Sequence, residues 1–195
     1  MRVTKRILGV IVAAALAVTA TALPVAAEEP AGEAAFDLAV VNFDAQLSGA
    51  DAQQVNTDKI LDYSQQAKEA GDEIVLFPEY ALTSSVDDAV TVEDSSVQSI
   101  SDYADQSDLY ILFGAVVEEE GNIYSGMVIC DPDGNIDVYE KTHLSDEEYT
   151  QGFSAGTDPY VLSTPYGKFG IALGDEFADV AELGKYYYGA ACRMI

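Results

Sequence analysis

Residues 36–43, 74–77 and 109–117 are short, mostly apolar runs, and each of the two intervals between them carries a helical pattern. Runs of this length suit buried strands, and a helix between two strands implies a crossover that returns the chain for parallel pairing. From 52 to 70, Ile60, Tyr63, Ala67 and Ala70 fall at three- and four-residue steps with charges between them. Ser48-Gly49-Ala50-Asp51 breaks the chain before that stretch, and Gly71 is a stop signal after it. From 92 to 107, Val97, Ile100, Tyr103 and Ala104 share a face. The pattern then changes. Strands over 123–130 and Ile136–Glu140 flank Asp131-Pro132-Asp133-Gly134, a strong turn, and predict a hairpin. Residues 141–158 are polar without a clear period, and a second hairpin, 160–162 with 169–173, follows about Tyr166-Gly167. A helix is expected over 178–188, and residues 190–195 read as the start of another buried strand. Alternating strands and helices followed by hairpins predict an α/β layered fold with a mixed sheet, in one domain over 36–195.

The first residues are set apart by composition. Arg2, Lys5 and Arg6 precede an uncharged apolar run over 7–23, and Pro24-Val25-Ala26-Ala27 ends it with small residues. This is the pattern of an export signal, so residues 1–27 are expected to be removed, residues 28–35 to form a flexible lead, and the protein to be secreted or held at the cell surface. The alternative is an uncleaved membrane anchor, since a run of about 17–25 apolar residues can span a bilayer. No second run of that kind follows, so no integral membrane segment is expected after cleavage. Nine basic residues face 34 acidic ones, for a formal charge of −25. That balance excludes nucleic acid as a partner, because phosphates need Lys and Arg. The acidic clusters Glu118-Glu119-Glu120 and Asp146-Glu147-Glu148 read first as solvated surface. Cys130 and Cys192 permit a disulfide without demanding one, and their alternative is two small buried hydrophobes. His143 is the sole histidine, so neither His-based triads nor metal sites have material, and no cofactor is implied.

Two residues stand at strand exits where chemistry is commonly held. Glu79 follows Leu76-Phe77-Pro78, and Lys141 follows Tyr139-Glu140. Each alone reads as solvated surface; together they carry a resemblance. Val75-Leu76-Phe77-Pro78-Glu79-Tyr80 resembles the general-base motif of the nitrilase superfamily of carbon–nitrogen hydrolases, and Tyr139-Glu140-Lys141-Thr142-His143-Leu144 resembles its lysine motif. Thr164-Pro165-Tyr166-Gly167-Lys168-Phe169-Gly170-Ile171 is similar to the hairpin that leads to its nucleophile, and Phe36 to Phe43 to its first strand. The resemblance covers 36–195 and leans toward the secreted pantetheinase and biotinidase branch, whose second glutamate, seven residues after the lysine, matches Glu148. It implies an α-β-β-α sandwich and the hydrolysis of small amides through a thioester. Glu79 would shuttle the proton, Lys141 would stabilise the oxyanion, and Glu148 would position lysine or substrate. It also implies homodimers.

The departure is at the nucleophile. The family strand reads Gly-Ile-x-x-Cys-(aromatic)-Asp, whereas this chain reads Gly170-Ile171-Ala172-Leu173-Gly174-Asp175-Glu176. Gly174 stands where the cysteine belongs and has no side chain to attack with. Asp175 is one residue further along, which on a strand turns a side chain to the opposite face, and a carboxylate is a poor nucleophile toward an amide. Family domains also continue with further strands and helices, so the resemblance implies a sandwich incomplete at its C-terminus. A truncated reading frame and a short protein that has lost catalysis both remain open. The expected function is a secreted amide hydrolase by descent with its activity lost or severely impaired. The alternatives are a non-catalytic module that binds a small amide or a partner, and rescue by an unexpected nucleophile.

Overall fold

The computed structural model describes residues 35–176 and 181–195. The expected export signal over 1–27, the lead up to 34, and residues 178–180 of the last expected helix lie outside the described residues. The elements in chain order are β1 (Leu38–Val40), α1 (Ala52–Ala70), β2 (Ile74–Leu76), α2 (Ser95–Ser107), β3 (Tyr110–Glu119), β4 (Asn122–Cys130), β5 (Ile136–Glu140), α3 (Asp146–Gln151), β6 (Val161–Thr164), β7 (Gly167–Gly170) and α4 (Ala181–Gly189). Among the described residues no helix is long and apolar enough to cross a membrane.

Strands β1 to β5 form one sheet in chain order, parallel from β1 to β3 and antiparallel from β3 to β5. Connection length explains the change of sense. Helices α1 and α2 carry the chain back for parallel pairing, whereas the short links before β4 and β5 allow only hairpins. Strands β6 and β7 form a second, two-stranded antiparallel sheet. Period-two alternation then builds two cores. Ile111, Phe113, Ala115 and Val117 of β3 pack with Val75, Val128 and Cys130 against Ile60, Ala67, Val97 and Ile100 of the helices. Leu112, Ile74, Met127 and Ile129 face the other way and meet Leu162 and Phe169 of the second sheet. Gly170, next to Phe169, faces outward onto the Tyr187 ring of α4. The order of layers is helix, sheet, sheet, helix, which is the α/β architecture with a mixed sheet that the sequence predicts.

Several details differ from expectation. β1 is shorter than the run over 36–43. The buried face of α1 is Asn56, Thr57, Ile60, Ser64 and Ala67, while Tyr63 and Ala70 are exposed. The buried polar groups are tolerated because each is bonded. Asn56 donates to the carbonyls of Gln46 and Leu82, and Thr57 and Ser64 donate to the carbonyls one helical turn back. The polar stretch after Lys141 contains α3, whose signal is the Ser145-x-x-Glu148 capping box rather than a hydrophobic period. The run at the chain's end makes a single parallel bridge to β7, Met194 beside Phe169, and is largely exposed rather than a buried strand.

One glycine lets the loop after β2 lie flat on β3. A Cβ at Gly114 would fall 2.5 Å from both Glu79 Cα and Tyr80 N, and 2.6 Å from Pro78 O. Gly114 N donates to Pro78 O at 3.1 Å, and Gly114 O accepts from Leu82 N at 2.9 Å. The neighbours are backbone atoms and cannot swing aside. Gly114→Ala is therefore expected to lower the free energy of unfolding by about 1–3 kcal/mol, the usual cost of overpacking. Urea denaturation measures it, and an unchanged midpoint would contradict this close approach.

Candidate active site

Four segments converge at one end of the sheets. Glu79 lies just beyond β2, Lys141 just beyond β5, Glu148 in the first turn of α3, and Gly174 in the turn after β7. The Lys141 ammonium is 2.8 Å from Glu148 Oε1, 3.2 Å from Glu79 Oε1 and 3.8 Å from Asp175 Oδ1. Lys141 is only 2% exposed. The structure thus brings together the three side chains singled out by sequence, with Gly174 beside them.

Each side chain is held by its own supports. Lys141 N donates to Ser125 O, and Lys141 O accepts from Gly156 N, both at 2.9 Å. Glu79 Oε1 accepts from the buried Ser125 hydroxyl at 2.9 Å. Glu148 serves two purposes. Its Oε1 accepts from Lys141 and from the Tyr80 hydroxyl at 3.1 Å, while its Oε2 accepts from Ser145 N at 2.7 Å and completes the capping box of α3. The solvated-cluster reading therefore fails for Glu148, which is buried, and holds for Asp146 and Glu147, which are exposed.

Charge states follow from these contacts. Burial pulls the Lys141 pKa down, but the bonds and charges of Glu148 and Glu79 outweigh it, so the group stays an ammonium above its ordinary range. Burial pushes Glu148 up, yet Lys141 and the Ser145 donors hold it below the usual carboxylate range. Burial, followed by the opposing bond to Ser125 and then by the nearby carboxylates, pushes the Tyr80 hydroxyl up to about 12 on balance, so it remains a donor.

Gly174 has φ +56°, and a Cβ built on it would lie 2.7 Å from Glu79 Oε2 and 3.2 Å from Lys141 Nζ. Any side chain at this position would enter between the carboxylate and the ammonium. The combination could polarise a carbonyl, through Lys141, and move a proton, through Glu79. Neither cysteine is near. Cys130 belongs to the helix-side core, where burial pushes its thiol up to about 12, and Cys192 follows α4 with its thiol also raised by burial. The two are free rather than bridged. Among the described residues no His, Cys, Asp and Glu group is arranged to hold a metal.

Sequence reasoning placed Asp175 facing away, as on a strand. The strand ends at Gly170, and residues 174–175 form a turn, so the carboxylate reaches to 3.8 Å from Lys141. In the sequence Glu176 stands only where the family pattern has Asp. It is 1% exposed and accepts five bonds, from Tyr139 OH, Thr142 N, Thr142 Oγ1, His143 N and Leu173 N, at 2.6–3.1 Å. It ties the lysine loop to the Gly174 turn. No spacing rule identifies it, because four of its five donors come from residues 139–143, far away in sequence. Ser125 and Tyr80 escaped notice for the same reason.

Burial pushes Glu176 up as well, but its donors hold the carboxyl below the usual range. A carboxyl depressed by folding contributes stability that is complete above the unfolded value of 4.5 and is lost as pH falls through the folded value. Urea midpoints measured at pH 7 and pH 4 are expected to fall on acidification. Glu176→Gln turns an amide N–H₂ toward donors, so it should lose about 2 kcal/mol or more at pH 7 and show a smaller acid-dependent drop than the parent. An undiminished drop would show that Glu176 is not the group titrating.

Residues 39–176 match the family Carbon-nitrogen hydrolase. Omega-amidase NIT2 of Mus musculus is 27% identical over 175 residues, which are 82% of this chain and 62% of the relative. The chain thus spans less than two thirds of that relative's length. Among solved structures, the glutamine-dependent NAD+ synthetase of Acinetobacter baumannii superposes with a TM-score of 0.67 at 20% identity, covering 80% of this chain and 31% of that one. An amidase mutant from Nesterenkonia sp. AN1 in complex with butyramide superposes with a TM-score of 0.59 at 21% identity, covering 69% and 54%. At these identities the superpositions speak for the fold alone.

Proposed function

We propose, for a chain that belongs to the carbon–nitrogen hydrolase family, that its site still receives a small amide but no longer cleaves it, because the nucleophile is absent at Gly174. The observation that carries this reading is the place of Gly174. The position where a Cβ would stand between Glu79 and Lys141 belongs to a residue without a side chain. In this reading Lys141 draws the amide oxygen, Glu79 is the base that once served the nucleophile, and Glu148 holds Lys141. With nothing to form a covalent bond to the amide carbon, acyl transfer does not begin. Asp175 is no substitute, since a carboxylate attacks amides poorly and this one is largely solvated.

Retained binding, rather than simple decay, is favoured by the supports around the site. Ser125, Tyr80 and Ser145 still bond Glu79 and Glu148. That a related amidase has been crystallised with butyramide makes butyramide a suitable probe. Amides of the pantetheinase and biotinidase kind, toward which Glu148 points, and those suited to an omega-amidase are the next to try. The composition of residues 1–27 supports export. Material recovered outside the cell is expected to begin at Glu28, and a chain that keeps Met1 in the soluble cell fraction would refute export.

The parent chain is expected to hydrolyse butyramide at no more than the background rate. Gly174→Cys is expected to raise that rate by about 100-fold or more, since a lost nucleophile commonly accounts for far larger factors. Its cost is modest, about 1–3 kcal/mol for a side chain at this positive φ and a small shift of the Glu79 carboxylate. Ammonia release measures both. Turnover by the parent that disappears in Glu79→Gln would overturn the inactive reading. A folded Gly174→Cys variant with no gain would count against the site geometry.

A further inference from the structure

The turn at Gly174 changes the charge of the site as well as removing its nucleophile. Three carboxylates surround one ammonium, Glu148 at 2.8 Å, Glu79 at 3.2 Å and Asp175 at 3.8 Å from Lys141 Nζ. A single positive charge cannot balance three negative ones. The two nearer carboxylates are enclosed, with side chains 10% and 19% exposed, and they take up the ammonium first. Asp175 is the farthest of the three and is 64% exposed at the rim. The Glu79 bonds to Ser125 and Lys141 both use Oε1, while Oε2 faces position 174. A ligand that arrives over Gly174 therefore meets one enclosed acceptor oxygen and, at the entrance, a carboxylate that is only weakly compensated.

Coulomb attraction falls off with distance and with local dielectric, so a charge at the rim of a partly enclosed site acts on a ligand more strongly than one on open surface. Like charge facing like charge is also an effective way to reject a wrong ligand. We propose that Asp175 is a specificity-determining residue that makes this site favour amides carrying a positive charge and reject amides carrying a carboxylate. This rests on the reading that the site receives an amide at all. The Glu79 oxygen accepts from the amide N–H₂, and Asp175 meets a ligand ammonium near the entrance. At an intermediate effective dielectric, one charge a few ångströms away corresponds to about tenfold in affinity. The preference should shrink at high salt, where exposed charges are screened within about 3 Å at 1 M.

Isothermal titration calorimetry at pH 7 and low ionic strength with three probes of similar size tests the proposal. The probes are 3-aminopropanamide, butyramide and succinamate, and circular dichroism verifies that each variant is folded. The cationic amide is expected to bind about tenfold or more tighter than the anionic one, with butyramide between them. Asp175→Asn is expected to shrink the cation-to-anion ratio by about tenfold, and 1 M salt should shrink it likewise. Asp102→Asn, on the exposed face of α2, should leave the ratio unchanged. An equal shift from Asp102→Asn would show that the chain's overall charge of −25 sets the preference, and would overturn the role of Asp175. Butyramide binding with no preference for the cation, or a ratio that Asp175→Asn does not alter, would overturn this inference alone. Failure of all three probes to bind would overturn it together with the amide-binding reading.

Discussion

A buried ammonium organises this protein. Lys141 is 2% exposed, and a charge so enclosed is tolerable only with close partners of opposite sign. Those partners come from distant segments. Glu79 stands at the end of a parallel strand, and Glu148 in the first turn of a short helix. Glu148 is also the residue that closes the capping box of that helix, so the ion pair and the start of α3 depend on the same carboxylate. A six-residue helix has little stability of its own. Its place is set by the pair it contributes to.

Glu176 plays a complementary part beneath the site. It is buried and gathers hydroxyl and backbone donors from the end of β5, from the loop after it and from the turn after β7. None of these bonds, nor any that hold Lys141, Glu79 or Glu148, involves a side chain at position 174. The site can therefore stay assembled with glycine there, and glycine accepts the positive φ of the turn at no steric cost. The supports of the charged groups are physically independent of a side chain at position 174, which is why those groups are held in place beside a glycine.

Close approach makes the same arrangement possible on the strand side. The Pro78-Glu79-Tyr80 loop touches β3 where Gly114 leaves room, and the lysine loop passes Gly156 at a similar distance, with a Cβ there 2.5 Å from Glu140 O. Residues without side chains thus decide where the charged ones point.

Much of this was legible in the sequence. Apolar runs and helical spacing determined the elements and the α/β class, because burial on one face writes its period directly into the chain. The motifs around Glu79 and Lys141 marked the site, since each follows a strand whose end can be located, and Glu148 was matched only through the resemblance, by its spacing of seven residues from the lysine. The absence of a side chain at Gly174 is likewise a fact of sequence alone. Other features were decided only by tertiary structure. Glu148 looked like part of a solvated acidic run, and α3 like an aperiodic stretch, because their cause is a lysine that packs against them. Asp175 does not follow the strand alternation because the strand ends early, at Gly170. Ser125, Tyr80 and Glu176 carry no local signal for these roles, since the bonds from Ser125 to Glu79, from Tyr80 to Glu148 and from Thr142 to Glu176 span 46, 68 and 34 residues. Local periodicity records which face a residue buries, but which groups meet across segments depends on how the layers stack, and no window of sequence contains that.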